Sequence, residues 1–258
     1  MPYIDYGATV SANGNKAMRP MIVTCGKSYL VYLLMLAGSV GLFAPNAEAA
    51  DDCRASPAPG INWEDCDKKL IMLDSSDLSG ANLARTDFTS TDLRGSNLTK
   101  ANFEKAVLVR ASFAGSTATG TRFERIEAYR TDFSQLDALG AVFSGAELQR
   151  SIFTQAKLGD ADFTKADLGR SQFDGADVGG SRFSLANLAR ADFRGAAFGK
   201  PVDFDRAFFF LTRIEGVDLT GATGLTQWQV DMACGDAQTM LPAGLNKPAS
   251  WPCQFQQE

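Results

Sequence analysis

An apolar residue stands at every fifth position from Leu73 onward. Leu78, Leu83, Phe88, Leu93, Leu98, Phe103, Leu108 and Phe113 follow, and the register holds through Phe198 over 26 successive units. A period of five is neither the 2 of a strand nor the 3.6 of a helix, so the repeat itself sets the fold. A second column supports the first: two residues before each centre sits Ala, Ser or Thr in 23 of the 26 units. One large and one small side chain per unit point inward, and the other three face water. A single extra residue within Phe198-Gly199-Lys200-Pro201-Val202 shifts the register. It resumes at Phe204, Phe209, Ile214 and Leu219, and weakly at Gly224.

Asp or Asn often fills the place between the two columns, as in Ala81-Asn82-Leu83, Ala161-Asp162-Phe163 and Ala186-Asn187-Leu188. The pattern A-[DN]-[LF]-x-x closely resembles that of the pentapeptide-repeat family, and the resemblance covers residues 71–224. It implies an all-β fold, a right-handed quadrilateral β-helix with four pentapeptides per square coil. Coils stacked at about 4.8 Å would give roughly 7.5 turns and a rod about 36 Å long. Phe recurs every ten residues from Phe103 to Phe193, which places it on two opposite sides of the coil. Ile126 and Leu136 are too large for the small column, yet their centres are Ala128 and Ala138. Such volume-conserving swaps are what a core tolerates best. Ser116 with Ala118 has no such compensation and predicts a local constriction or void.

The ends are organised differently. Tyr29–Phe43 is 15 uncharged, mostly apolar residues after Arg19 and Lys27, followed by Ala47-Glu48-Ala49. A basic segment, a short apolar segment and an A-x-A site read as a secretory signal peptide, with cleavage between Ala49 and Ala50. The stretch is short of the about 20 residues that span a bilayer; retention as an anchor is the alternative, and no stable membrane insertion is expected after cleavage. The start codon is Met1, Met18 or Met21. The chain thus divides into residues 1–49 (extension and signal), 50–70 (N-terminal cap), 71–224 (repeats) and 225–258 (C-terminal cap). Repeat arrays need caps because an open coil exposes unpaired backbone. Trp63 is the expected plug at one end. At the other, Thr226 is an N-cap for a short helix through Ala233, with Leu225, Trp228 and Met232 as its buried stripe.

Export changes how the cysteines read. Cys25 leaves with the signal, and Cys53, Cys66, Cys234 and Cys253 remain. Of three possible connectivities, local pairing (Cys53–Cys66 and Cys234–Cys253) is the economical one. Each bridge adds about 3 kcal/mol in the chain-entropy view. Zinc is the rival, but there is no C-x-x-C and no histidine.

The absence of His removes the commonest general base and metal ligand. No phosphate loop, nucleophile elbow or metal spacing is present. The aspartates Asp77, Asp87, Asp92, Asp162, Asp167 and Asp192 occupy the outward, turn-favouring position and do not converge. No catalytic, cofactor or metal residue is therefore assigned, and an enzyme is not expected. Over residues 71–200, the sides of the coil starting at residues 71, 76, 81 and 86 carry net −3, −1, +3 and +1. Arg110, Arg130, Arg150, Arg170 and Arg190 recur every 20 residues and so stack coil upon coil. Such a ladder could bind a polyanion. Glu127, Glu147 and Asp167, three residues before an arginine, instead predict exposed ion pairs worth under about 1 kcal/mol each. The whole chain has net charge −5; its first 49 residues carry three basic and two acidic side chains, leaving −6 for the exported form. That disfavours nucleic acid.

Phe208, Phe210 and Leu211 flank the inward Phe209 and should point outward. Either the C-terminal segment covers them or they form a dimer or partner patch. The functional expectation is an exported, secreted or periplasmic, non-enzymatic rod that presents flat faces to a protein or cell-envelope partner. The alternatives are polyanion or cell-surface binding, and a DNA-mimic inhibitor of a gyrase-type topoisomerase. The last follows from the resemblance, since some family members match duplex DNA in width and charge.

Overall fold

The computed structural model describes residues 52–253, so the expected signal segment and its cleavage site lie outside the described residues. Within them the chain winds into a four-sided coil whose successive turns are joined by parallel bridges 20 residues apart, from Asn62↔Asn82 to Asp177↔Ala197. Three backbone bonds tie each pentapeptide to the next coil. Around Trp63 these are Trp63 N–H to the Asn82 carbonyl (2.8 Å), Asn82 N–H to Ile61 (2.8 Å) and Asp65 N–H to Ala84 (3.0 Å). The bridges that span residues 198–202 have an offset of 21, as in Arg182↔Asp203 and Asn187↔Phe208, which absorbs the extra residue; the offset is 20 again at Asp203↔Thr223.

Both inward columns are buried. The large column builds two interleaved phenylalanine stacks: Phe143 lies parallel to Phe123 (4.7 Å) and Phe163 (4.8 Å) and edge-on to Phe133 and Phe153 (both 5.9 Å). The small column takes Ser and Thr because their hydroxyls have a partner. Thr121 Oγ1 donates to the Leu98 carbonyl, Thr131 to Leu108 and Ser151 to Ala128, each at 2.7 Å and each one coil back. Ser116, the uncompensated small residue, does the same to Leu93 at 2.7 Å.

The register begins earlier than residue 71. Residues 61–70, expected as cap, already form coil, with Trp63 and Lys68 at centre positions and Cys66 in the small column. Lys68 at a core centre is tolerated because its Nζ donates to the Cys53 carbonyl (2.6 Å) and lies 3.6 Å from the Trp63 ring centroid. Burial holds its ammonium below the ordinary lysine pKa. The Cys53–Cys66 bridge pins the short 3-10 turn Asp52–Arg54 against this coil, so the first cap is a strap of about ten residues.

At the other end Cys234 bonds to Cys253, the second expected pairing. Helix α1, Gln227–Met232, follows Thr226 as expected, but its buried residues are Gln229 and Val230. Trp228 is exposed, and Leu225 and Met232 are only half-buried. Gln229 is inside because its Nε2 donates to the carbonyls of Phe204 (2.9 Å) and Ala207 (3.0 Å). Its Oε1 accepts from the Thr226 N–H at 2.8 Å. The end of the coil needs donors, and those carbonyls select an amide over an apolar side chain.

Candidate interaction surface

Each side of the coil ends in a β-turn, closed where the centre carbonyl accepts the N–H three residues on, as from Ala111 to Leu108 at 2.9 Å. The third residue of this turn has positive φ, as a type II turn requires, and glycine suits it best. On the corners that follow the sides starting at 71 and 76, Gly80, Gly95, Gly115, Gly120, Gly140, Gly175, Gly180 and Gly195 fill it, alongside Ser75, Lys100, Gln135, Gln155 and Asp160. Arg110, Arg130, Arg150, Arg170 and Arg190 fill the same position on a third corner, at φ of 58, 58, 60, 62 and 60°. That column contains no glycine. A side chain in the left-handed region costs about 1 kcal/mol.

The five arginines therefore form one column along one edge, and their backbones step coil to coil: Arg130 N–H donates to Gln149 (3.1 Å), Arg150 to Gly169 and Arg170 to Ala189 (2.9 Å). The expected pairing with Glu127, Glu147 and Asp167 does not occur; none of the five makes an ion pair with any described residue. The acids sit on the flat of the side, whereas the arginines leave from the corner. Asp167 is satisfied by Gly169 N–H (3.0 Å), Asn187 Nδ2 (3.0 Å) and Gln149 Nε2 (2.8 Å). Arg130 alone has a side-chain neighbour, the Tyr129 ring at 5.2 Å. A shallow depression of about 340 Å³ runs between Gln149, Arg150, Asp167, Arg170, Asn187 and Arg190.

The neighbouring corner column is also basic. It holds Arg85, Lys105, Arg125, Lys165 and Arg206, interrupted by Gly145 and Leu185. Here pairing does occur: Arg85 reaches Glu64 (2.6 Å) and Asp65 (2.7 Å), and Arg125 reaches Glu104 (3.5 Å). Ten cations thus line two adjacent corners. Between residues 75 and 195 the other two hold only Lys100 and Asp160 as charged residues. Asp and Asn at the outward position act locally, accepting the N–H two residues on, as Asp77 does from Ser79 (3.0 Å) and Asp162 from Thr164 (2.9 Å). The Ser79 bonds hold Asp77 below the usual carboxylate range, and the Arg94 guanidinium does the same for Asp92. The corner signal was present in the sequence: Gly, Arg, Lys and Gln alternate two residues after each centre.

Phe208 and Phe210 are 42% and 45% exposed, so the C-terminal segment does not cover them. Trp251 instead lies on Gly235 and donates its Nε1–H to the Ala233 carbonyl at 2.7 Å. Leu211 is half-buried and its N–H donates to Met232 (2.8 Å). The two phenyl rings lie 6.2 Å apart and 11° from parallel. They continue the arginine edge, because Arg190 N–H donates to the Phe210 carbonyl at 2.8 Å. Among the described residues no group of three or more His, Cys, Asp or Glu is placed to hold a metal ion, and no helix is long and apolar enough to cross a membrane.

Comparisons agree with this geometry. A family model described as a pentapeptide repeat region matches residues 106–183, and one described as pentapeptide repeats in eight copies matches residues 73–104. No curated protein matches the sequence. Among solved structures, trypsin-treated QnrB1, a plasmid-mediated fluoroquinolone resistance protein, is 22% identical with a TM-score of 0.60, over 67% of this chain and 86% of its own. HetL, involved in heterocyst differentiation regulation in the cyanobacterium Nostoc sp. strain PCC 7120, is 20% identical with a TM-score of 0.34, over 76% and 90%. A protein of the Arabidopsis thaliana thylakoid lumen is 29% identical with a TM-score of 0.20, over 44% and 66%. With its five-residue core register, its left-handed corners and the two family-model matches, the chain belongs to the pentapeptide-repeat family.

Proposed function

We propose that this protein is an exported, non-enzymatic interaction module: a rigid β-helix, strapped at both ends, that offers its sides and corners to a cell-envelope partner. One observation carries the reading. The interior is filled from Trp63 to Leu219, and the polar side chains outside are distributed one coil at a time without converging. Catalysis needs several groups held around one reacting atom, and depressions open to solvent along flat sides do not supply that. Export rests on the Tyr29–Phe43 segment and fits the two bridged cysteine pairs, which persist in oxidising compartments. The test is to fractionate the native host, measure the mass and N-terminus of the protein, and map crosslinks in the same fraction. A chain beginning near Ala50 with four oxidised cysteines and a discrete crosslinked partner supports the proposal. An uncleaved cytoplasmic chain with free thiols, or turnover of a small molecule without any partner, overturns it.

A DNA-mimic inhibitor of a topoisomerase is the second reading, raised by the fold shared with QnrB1. A mimic of duplex DNA presents an acidic surface, and here ten cations line two corners. Supercoiling unaffected by micromolar protein removes this reading.

A further inference from the structure

The column Arg110–Arg130–Arg150–Arg170–Arg190 repeats one residue type at one corner over five coils. Each guanidinium is without an ionic partner among the described residues, although acids stand on the adjoining flat. Each occupies a left-handed corner, as do other non-glycine residues such as Lys105, Gln135 and Lys165, so what distinguishes the column is the fivefold repetition of one cation and not its backbone. Apart from Arg130 beside the Tyr129 ring, these exposed cations form no side-chain pair that would serve the fold, and a charge repeated once per coil along one line points to a use outside it. The edge ends on Phe208 and Phe210, a parallel pair of half-exposed rings one coil beyond Arg190.

We propose that this edge binds a linear polysaccharide bearing carboxylates, a polyuronate, with the arginine column reading its charges and the Phe208–Phe210 pair stacking on a sugar ring. The inference deepens the interaction-module reading and rests on it. Three features select this class. The arginines recur once per coil, at about 4.8 Å, which is close to the length of one pyranose residue, so one carboxylate per sugar meets one guanidinium per coil. A guanidinium binds a carboxylate through two parallel N–H bonds, and its fork is wasted on a neutral sugar. The aromatic pair offers apolar faces to the C–H face of a pyranose, a surface that polyphosphate lacks. Duplex DNA, at one charge per about 1.7 Å of axis, mismatches the column, and a single strand would call for rings interleaved along it. Tyr129 is the ring that lies within the column, and it already stacks with Arg130. Glu127, Glu147 and Asp167 on the adjoining flat repel any polyanion that leaves the edge, which confines a bound chain to one line.

Affinity electrophoresis of the purified, oxidised protein through gels containing polygalacturonate tests this, with amylose, duplex DNA and polyphosphate gels as the alternatives. Arg150→Gln/Arg170→Gln is the main variant, because Gln135 and Gln155 already occupy such corners at φ 56 and 58° and show that glutamine fits them. Polygalacturonate retards the wild type and amylose does not; the double variant binds about tenfold more weakly or worse, with a shallower dependence on salt. Phe208→Ala/Phe210→Ala weakens binding with an unchanged salt slope. Equal retardation of wild type and Arg150→Gln/Arg170→Gln, stronger retardation by DNA or polyphosphate, or no retardation at all overturns the proposal. If polygalacturonate is ignored while a protein partner is crosslinked, the ladder inference fails and the interaction-module reading stands. If neither is found, both fail.

Discussion

The interleaved phenylalanine stacks make a quantitative prediction, because positions of equal burial differ in their ring neighbours. Phe143 has stacked partners in Phe123 and Phe163 and edge-on partners in Phe133 and Phe153. Phe88 is just as buried but meets a single ring, Phe103, at 5.7 Å and a tilted 53°. Replacing either with leucine, the other residue common at centre positions, changes volume and apolar area by the same amount. The difference between Phe143→Leu and Phe88→Leu therefore isolates ring geometry. Aromatic pairs contribute about 0.5–1.5 kcal/mol beyond area burial. Phe143→Leu loses three more of them than Phe88→Leu, so it should be the more destabilising by about 1.5–4.5 kcal/mol, with the low end favoured because leucine still fills the site. Urea unfolding followed by circular dichroism measures this as a shift in midpoint at constant m-value. Equal midpoints for the two variants would refute the reasoning and leave burial as the only term the core rewards.

Three further outcomes follow from the caps and the small column. Lys68 titrates below its unfolded value of 10.5, so between its folded pKa and 10.5 the unfolded chain binds more protons and stability rises with pH; urea midpoints of the oxidised protein should climb across that window, and those of Lys68→Met should not. Thr131→Val removes the buried 2.7 Å bond to the Leu108 carbonyl, which still accepts from Ala111, and should cost about 1 kcal/mol in urea denaturation. Gln229→Met removes the side-chain donor to the Phe204 carbonyl, which still accepts from the Ala207 N–H, and to the Ala207 carbonyl; it should cost about 1–3 kcal/mol and raise amide exchange first in the last coil.

The central fold was legible because one rule holds at every unit: a large residue at the centre, a small one two before it. The extra residue near Gly199 could be located, since nothing but a change of register explains Val202 and Phe204. The two cysteine pairs also followed from proximity. What escaped the sequence lies where polarity, not apolar periodicity, decides. Lysine at centre position 68 breaks the column rule, and only the Cys53 carbonyl and the Trp63 ring make it acceptable there. Gln229 looks like a surface residue of α1 until the carbonyls left open by the last coil are considered, and it takes the place that Trp228 was expected to fill. Three residues separate Glu127 from Arg130, yet a corner stands between them, and sequence distance across a turn is a poor guide to side-chain distance.

The corner position has a particular status in this architecture. Centre and small-column residues are constrained by the core, and the Asp or Asn between them by the N–H two residues on. The third turn residue touches neither; its only local demand is a backbone that favours glycine. Where the corner is open, substituting it costs the fold about 1–2 kcal/mol, so its identity there answers to whatever lies outside. Two corners hold mostly glycine, with Ser75, Lys100, Gln135, Gln155 and Asp160 among them, and a third holds five cations, of which Arg85, Lys105 and Arg125 are paired. The fourth carries five successive arginines that make no ion pair with any described residue, Arg130 alone having a ring beside it. An edge that repeats one cation without an ionic partner over five coils, opposite a corner where Gly80, Gly120, Gly140 and Gly180 recur, is a binding side, and that side is the one to probe.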